Sequence, residues 1–212
     1  MDAATFSAQI NPSRPLLLLD ADEVLLRFVE HLEAYLPSRG HELRLTSFQL
    51  GGNIFDLSTE KRAEGAVVKA LIAGFFDDCT HDVPLVDGAR EALDSLKAHY
   101  DIAVLSNVPD RCRDARATNL RGHGLDVPVI ANRGEKGPVA AMLASATRKT
   151  VVFVDDLPPQ HASVAEHAPD VHRVHFIADP RLGPMLEKAE HAHVRIDDWP
   201  TLERHLITLL EG

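Results

Sequence analysis

Short runs of mainly apolar residues recur along this chain and constrain its fold more than any other feature of the sequence. The first, Leu16–Leu19, leads directly into Asp20. Apolar runs of this length, without alternating polar residues, are typical of strands buried on both faces, as in a parallel sheet. Further runs lie at residues 102–105, 127–131, 151–154 and 174–177, and a last short one lies at 193–196.

Amphipathic stretches with helical spacing separate these runs in the second part of the chain. Strand and helix patterns alternate from about residue 85 onward, which predicts an α/β fold with a Rossmann-like parallel sheet and helices on both faces. Residues up to Pro15 are expected to form a disordered or loosely packed arm. The helical stretches cover residues 89–98, 111–121, 138–146 and 160–167.

The segment that follows the first strand breaks this alternation. It has no buried-strand pattern, and its apolar residues follow helical spacing at 24–36 and again at 59–76. Ser58 or Thr59 is expected to cap the second helix, because their hydroxyls can accept a hydrogen bond from its first turn. Residues 46–57, between the two helical stretches, predict a loop.

The position of this insert predicts the domain organisation. An insert after the first strand lies over the carboxyl ends of the strands, where open α/β sheets bind their ligands. We therefore predict a catalytic core of residues 1–24 and 85–212, and a small α-helical cap domain of residues 25–84. The cap is expected to cover the site as a lid.

Composition narrows the possible partners. The chain has 22 basic and 32 acidic residues, a formal net charge of −10, which disfavours nucleic acid and anionic membrane surfaces. No stretch approaches the ~20 apolar residues of a membrane helix, and no signal peptide is recognisable. Two cysteines are too few for a disulfide framework. We expect a cytoplasmic protein, and surface positions for the histidines at 172, 175, 191 and 193.

Polar side chains follow four of the predicted strands. Because the carboxyl ends of parallel strands meet at one edge of a sheet, these side chains should lie close together although they are distant in sequence. Each motif alone is more typical of a turn or a helix cap, but four of them at successive strand ends indicate a site. They are Asp20 and Asp22 after the first strand, then Ser106 with Asn107, then Lys136, and finally Asp155 with Asp156.

The chemistry of this set favours phosphoryl transfer. Crowded carboxylates repel one another unless a divalent cation lies among them, and oxygen ligands suit Mg²⁺. Asp20, ionised at neutral pH, could attack phosphorus and form an aspartyl phosphate. Asp22 lies two residues away and so on the same side of an extended chain, where it could transfer protons to the leaving oxygen and from water.

These motifs resemble those of the haloacid dehalogenase-like hydrolase superfamily, in order and over nearly the whole chain. The family's D-x-D strand, Ser/Thr strand end, lysine before a helix and paired acids correspond to residues 16–24, 104–107, 135–138 and 151–156. The resemblance implies a phosphatase, with Asp20 as nucleophile and Asp22 as general acid/base. Glu23 departs from the family pattern, which commonly has glycine there, and puts the turn after Asp22 in question.

The resemblance also implies the ligands. Mg²⁺ would be held by Asp20, by the main-chain carbonyl of Asp22 and by Asp156, with Asp155 assisting. Ser106, Lys136 and the backbone N–H of Asn107 would bind the phosphoryl oxygens.

Several alternatives remain open at this point. A haloacid dehalogenase uses the same nucleophile against carbon, but Asp22 favours phosphate. A phosphomutase would share all four motifs. A signalling receiver domain orders its acidic groups differently along the chain, and a catalytically idle binding protein would not need every position filled.

The substrate is predicted to be a small phosphorylated metabolite, since a lid would exclude folded phosphoproteins. Phe28, His31, Asn53 and Phe55 are the insert residues expected to face it. The sequence does not predict the oligomeric state.

Overall fold

A six-stranded parallel sheet organises the molecule, which the computed structural model describes over residues 1–210. The strand order is β5-β4-β1-β6-β7-β8, so the first strand lies in the middle of the sheet. This confirms the predicted Rossmann-like α/β architecture. The strands of this sheet are β1 Leu16–Leu19, β4 Asp101–Ser106, β5 Val129–Ala131, β6 Val151–Asp155, β7 His172–His175 and β8 Val194–Arg195, while β2 His41–Leu43 and β3 Ile54–Asp56 form a separate antiparallel pair.

Helices cover both faces of the sheet, as predicted. Side chains alternate along β1, so Leu16 and Leu18 pack into one core and Leu17 and Leu19 into the other. Helices α1, α6 and α7 contribute to the first core, and α4, α5 and α8 to the second. The helices are α1 Ala3–Ser7, α2 Phe28–Tyr35, α3 Gly65–Cys79, α4 Ala89–Leu96, α5 Arg113–Gly122, α6 Gly137–Ala144, α7 Pro158–His167 and α8 Trp199–Thr208.

The N-terminal arm is ordered, which corrects the expectation of a loose segment. Asp2 caps α1 by accepting a hydrogen bond from the backbone N–H of Thr5 at 2.8 Å. Phe6 and Ile10 then lie four residues apart and are buried against the core on that face of the sheet. The burial of these two apolar side chains and the ion pair of Arg14 with Asp101 at 2.9 Å hold the segment in place.

The insert contains two short strands as well as helices, so the prediction of a segment with no strands was wrong. β3 lies within residues 46–57, which were predicted as a loop, and it pairs with β2 just before that region, with Leu43 opposite Ile54. Ser58 and Thr59 do not cap α3, which begins at Gly65. Instead their backbone N–H groups donate to the Asp56 carboxylate, which closes a turn at the end of β3. A three-residue strand is too short to give a periodic pattern.

The insert joins the sheet through two adjacent connections. The backbone N–H of Arg27 donates to Pro84 O, and that of Val86 donates to Leu25 O, both within 2.9 Å. Phe28 of α2 and Phe75 of α3 meet edge to face at 5.1 Å, which holds the two helices together above the sheet. No helix within residues 1–210 is long and apolar enough to cross a membrane.

Candidate active site

The carboxyl ends of β1 and β6 place two aspartates side by side. Leu19 pairs with Val154, and the Asp20 N–H continues the ladder to Val154 O at 2.9 Å. Asp20 and Asp155, the next residues on each strand, therefore leave the sheet at the same level. Both side chains are buried, so each carboxylate needs a partner.

Lys136 is that partner for both carboxylates. Its Nζ lies 2.8 Å from Asp20 Oδ1 and 2.7 Å from Asp155 Oδ2, and the side chain is 1% exposed. Burial lowers the pKa of Lys136, but the carboxylates of Asp155 and Asp20 outweigh this and raise it above its ordinary value. The lysine therefore stays charged.

The loop before α6 positions this lysine. The backbone N–H of Lys136 donates to Gln160 Oε1 at 2.8 Å, and Gln160 Nε2 donates to Gly134 O at 3.1 Å. Gly137 follows at the start of α6, where a Cβ would lie 2.3 Å from Ser163 O. Only glycine allows α6 to approach α7 this closely, so the position of Lys136 depends on it.

Asp20 keeps one oxygen available. Its Oδ1 accepts from Lys136 Nζ and from the Ala21 N–H at 2.7 Å, while Oδ2 accepts no hydrogen bond from any residue of the described chain. Burial raises the pKa of Asp20 to about 6, because the lowering effect of Lys136 is partly offset by the charge of Asp155. Asp20 thus remains mainly ionised at neutral pH, with a free oxygen directed away from the lysine.

Asp156 adds a third carboxylate and supplies the reason to expect a cation. Oxygens of Asp20, Asp155 and Asp156 all lie within 4.8 Å of one another. The pKa of Asp156 lies well above its ordinary value, because of burial and the charges of Asp155, Asp20 and Glu23. Three buried carboxylates with one lysine among them leave negative charge uncompensated, and a hard divalent cation fits this all-oxygen set.

Asp22 is held apart from these carboxylates by an arginine that the sequence analysis missed. Arg116 Nη2 of α5 lies 2.6 Å from Asp22 Oδ1, and Arg116 is fully buried. Burial raises the pKa of Asp22, and Arg116 opposes this rise. The Asp22 side chain is not part of the three-carboxylate group. One signal was available: Arg116 precedes Leu120 by four residues, which places a cation on the buried face of its helix.

The phosphate-binding residues predicted from β4 occupy different environments. Ser106 is fully buried, and its Oγ accepts from the Val108 N–H at 3.3 Å. Asn107 is exposed and lines the cavity described below. Its Oδ1 accepts from Asn132 Nδ2 at 2.8 Å, and its Nδ2 donates to Gly134 O at 2.9 Å. Asn132, also missed by the sequence analysis, thus links the ends of β4 and β5.

The turn after Asp22 forms although Glu23 stands where the family commonly has glycine. The φ of Glu23 is 58°, a left-handed conformation in which glycine is the least strained residue. The buried carboxylate offsets that strain by accepting from the Val29 N–H at 2.7 Å and the Asp179 N–H at 3.0 Å. Burial raises the pKa of Glu23 to about 7. The turn after Asp22 is therefore preserved, and Glu23 ties α2 of the insert to the loop after β7.

Two histidines support the acidic pair from behind, contrary to the expectation of surface positions for His175. His175 is fully buried, and its Nε2 lies 2.9 Å from Asp156 O. His161 makes the equivalent contact with Asp155 O at 2.9 Å. Burial lowers the pKa of both histidines, to about 3 for His161, so they remain neutral donors. They hold the backbone of the acidic pair in place.

A cavity of about 440 Å³ opens onto this cluster. Of the four insert residues expected to face the substrate, only Phe28 lines it. His31 pairs with Asp82 at 3.2 Å, and Phe55 lies beneath the guanidinium of Arg44. The cavity is lined by Asp20, Asp22, Glu23, Phe28, Val29, Phe48, Gln49, Leu50, Phe76, Asn107, Asp156, Leu157 and Leu182.

Solved structures share this architecture. A conserved haloacid dehalogenase-like protein from Agrobacterium tumefaciens matches 94% of this chain and 100% of its own, with a TM-score of 0.63 and 16% identity. A HAD family hydrolase from Deinococcus radiodurans with bound phosphate and sodium matches 94% and 97%, with a TM-score of 0.62 and 18% identity. An L-2-haloacid dehalogenase matches 92% and 100%, with a TM-score of 0.56 and 15% identity.

At these identities the likeness concerns the fold rather than the substrate. No protein-family model and no curated protein matches the sequence at a significant level. The backbone fold agrees with that of these neighbours over more than nine tenths of the chain. The protein therefore has the fold of the haloacid dehalogenase-like hydrolases.

Proposed function

We propose that this protein is a magnesium-dependent phosphohydrolase that acts through an aspartyl phosphate. One observation carries the proposal: Asp20, Lys136 and Asp155 form a buried ion cluster beside Asp156, and the cluster retains more carboxylates than cations. Such a site accepts a dianionic phosphoryl group only with a divalent cation bound. The phosphate held by the Deinococcus neighbour agrees with this chemistry.

The first half of the reaction transfers the phosphoryl group to the enzyme. Asp20 attacks phosphorus with the carboxylate oxygen that Lys136 does not bind, while the bond from phosphorus to the alcohol oxygen breaks. Asp22 gives a proton to the departing alkoxide. The products are the free alcohol and a phosphorylated Asp20, with Asp22 now ionised and stabilised by Arg116.

The second half regenerates the enzyme. Asp22 takes a proton from water as the water oxygen attacks phosphorus, and the bond to the Asp20 oxygen breaks. Inorganic phosphate leaves, Asp20 is a free carboxylate again, and Asp22 is protonated for the next cycle. Lys136 remains charged throughout and faces the negative charge on the phosphoryl group.

The carboxylates of Asp20 and Asp156 would hold Mg²⁺ together with the Asp22 carbonyl, as the resemblance implies. Asp155, whose oxygens are engaged by Lys136 and by the Leu157 N–H, would assist from beside it. When bound, Mg²⁺ supplies positive charge against the phosphoryl oxygens. The insert above this site restricts the substrate to a small phosphorylated metabolite, since a folded phosphoprotein could not reach Asp20.

A hydrolysis assay with a generic aryl phosphate tests this function. We expect release of inorganic phosphate that depends on added Mg²⁺ and stops in excess chelator. A second arm offers 2-chloropropionate in the absence of metal and measures chloride. Full phosphatase activity in chelator would refute the metal requirement, and chloride release without phosphate release would favour a haloacid dehalogenase instead.

A further inference from the structure

We propose that the cavity selects phosphomonoesters of apolar, uncharged alcohols, and that Phe48, Leu50 and Phe76 determine this selectivity. The inference rests on the phosphohydrolase function proposed above and concerns the part of the substrate that leaves as the alcohol. Its basis is the contrast between two parts of the cavity. The floor is the charged cluster of Asp20, Asp155, Asp156 and Lys136, and the walls are the apolar side chains around the opening above it.

The walls are apolar and come from four separate segments. Phe28 and Phe76, on α2 and α3, lie 5.8 Å apart between ring centroids and form one side. Phe48 and Leu50 approach from the loop between β2 and β3. Leu182 adds a buried surface from the core. Since apolar area removed from water is favourable in proportion to its size, these walls stabilise a bound hydrocarbon and give nothing to a hydroxyl.

The loop that carries Phe48 and Leu50 is held in place. Asn53 is fully buried beneath it, and its Oδ1 accepts from the N–H and the hydroxyl of Thr46 at 3.1 and 2.9 Å. Its Nδ2 donates to Ser47 O at 2.6 Å and to Gln49 O at 2.9 Å. The two apolar side chains are therefore presented by an ordered loop, which lowers the entropic cost of enclosing a ligand.

No cation is available on these walls for a second anionic group. Within the described chain, none of the residues lining the cavity is a lysine or an arginine. Arg181, next to Leu182 in the chain, is paired with Asp179 and Glu33, and the buried Arg116 is paired with Asp22. A second phosphate or a carboxylate on the substrate would lose its water without gaining a partner. Sugar bisphosphates and phosphorylated acids are thus disfavoured.

Uncharged polar groups on the substrate are also disfavoured by this cavity. The side-chain amides of Gln49 and Asn107 are the polar groups on the lining other than the acids, and the Asn107 amide is already bonded to Asn132 and Gly134. The carboxylates can accept from the hydroxyls nearest the phosphoryl group, but the apolar walls offer the remaining hydroxyls of a sugar few side-chain partners. At about 440 Å³ the cavity is within the range of ordinary small-molecule sites.

A homologous series of n-alkyl phosphates, from ethyl to hexyl, tests the inference, because these alcohols differ in apolar length much more than in leaving ability. We expect kcat/KM to rise about fourfold for each added methylene until the cavity is filled. Glucose 6-phosphate should fall below hexyl phosphate by about 100-fold, and fructose 1,6-bisphosphate further still. Acetyl phosphate, which needs no apolar contact, reports on the reaction chemistry itself.

Variants assign the selectivity to the named residues. Phe48→Ala and Phe76→Ala should flatten the chain-length dependence to less than twofold per methylene, a ratio measured within each variant. Leu50→Arg should raise the rate for fructose 1,6-bisphosphate relative to hexyl phosphate by at least tenfold. Phe55→Ala is the matched control: this ring is on the same hairpin but contacts Arg44 and Arg62, so the dependence should persist.

The possible results distinguish a failure of the proposed selectivity from a failure of the phosphohydrolase function on which it rests. If acetyl phosphate and every ester resist hydrolysis in Mg²⁺, the phosphohydrolase function is wrong and the inference is refuted with it. If acetyl phosphate is hydrolysed but the alkyl series is flat, or glucose 6-phosphate exceeds hexyl phosphate, the function stands and the selectivity is refuted. An unchanged series in Phe48→Ala, Phe76→Ala and Leu50→Arg would also refute it.

Discussion

The floor of the cavity is held together by buried ion pairs, whereas its walls are held together by apolar contacts. The floor consists of Asp20, Asp155, Asp156 and Lys136, all buried and, with the exception of Asp156, paired within 2.8 Å. The walls consist of apolar side chains, mainly from the insert, which contact one another without directional bonds; Phe48, Leu50 and Phe76 are half-buried, and Leu182 of the core is buried. In the function proposed above, the floor carries out the phosphoryl transfer and the walls select the alcohol part of the substrate.

The difference predicts how each region tolerates change. A buried charge depends on its partner, so removing one member of the floor leaves another uncompensated and affects stability and activity together. Phe48, Leu50 and Phe76 are half-buried, so we expect that each can be truncated without loss of the fold.

The largest expected effect is that of Asp20→Asn, which removes the nucleophile and leaves Lys136 paired with Asp155. Turnover should fall by about 10⁴-fold or more, and no phosphorylated protein should form. Mass spectrometry of the acid-quenched reaction checks the intermediate. Asp94→Asn, on the exposed face of α4, is the control and should behave as wild type. Near-normal turnover in Asp20→Asn would remove the basis of the mechanism.

Asp22→Asn should reduce turnover by roughly 10²–10⁴-fold, because proton transfer is lost while the nucleophile remains. The loss should be greatest for alkyl phosphates and smallest for acetyl phosphate, whose leaving group needs no proton. A plot of rate against leaving-group pKa measures this. A uniform loss across all leaving groups would contradict protonation of the leaving oxygen by Asp22 and would assign its effect to hydrolysis of the aspartyl phosphate or to its ion pair with Arg116.

Lys136→Met tests whether the floor couples stability to chemistry. Two buried carboxylates would lose their shared cation, which should lower the free energy of unfolding by about 3–5 kcal/mol. Urea denaturation measures this, with Lys97→Met as a control at an exposed ion pair expected to change less than about 1 kcal/mol. If the free energy of unfolding of Lys136→Met matched that of wild type, the cluster would not be the buried unit described here.

Glu23 joins the floor to the walls, and its effect should depend on pH. Its pKa in the folded protein is about 7, above the ordinary 4.5, so the native state retains a proton that the unfolded chain has already lost. Stability should therefore fall as pH rises from about 4.5 to about 7, by on the order of 3 kcal/mol. Subtracting the pH curve of Glu23→Gln from that of wild type isolates this contribution.

Glu64→Gln, at an exposed position just before α3, is the control and should reproduce the wild-type curve. The contact of Glu23 with Val29 gives the expected change a second readout, in the amide exchange of the first turn of α2. Identical pH curves for wild type and Glu23→Gln would mean that Glu23 does not carry the link between the two regions.

The acidic cluster at the strand ends could be predicted from local sequence patterns. A short apolar run followed by an acid is a local signal, and the convergence of parallel strand ends follows from the topology of alternating strands and helices. Asp20, Lys136, Asp155 and Asp156 therefore lie together as expected. The roles proposed for them remain predictions until they are tested.

The structure of the insert was harder to predict from the sequence, for two physical reasons. Its strands span three residues each and show no period, so β2 was not predicted and β3 was assigned to a loop at residues 46–57. The conformation of the loop between β2 and β3 decides which of its side chains reach the cavity. Asn53 holds that conformation through four hydrogen bonds to residues up to seven positions away. Asn53 was expected to face the substrate, whereas it supports the loop residues that line the cavity.

By itself the sequence determined the α/β sheet, the place of the insert and the identity of the acidic floor, because strand burial and helix spacing are encoded within each segment. Only the tertiary structure decided that Arg116 pairs with Asp22, that Glu23 bridges to α2 and the loop after β7, and that Phe48 and Leu50 form the walls. Each of these depends on contacts between residues distant along the chain, and such contacts leave no periodic pattern in the segments that make them.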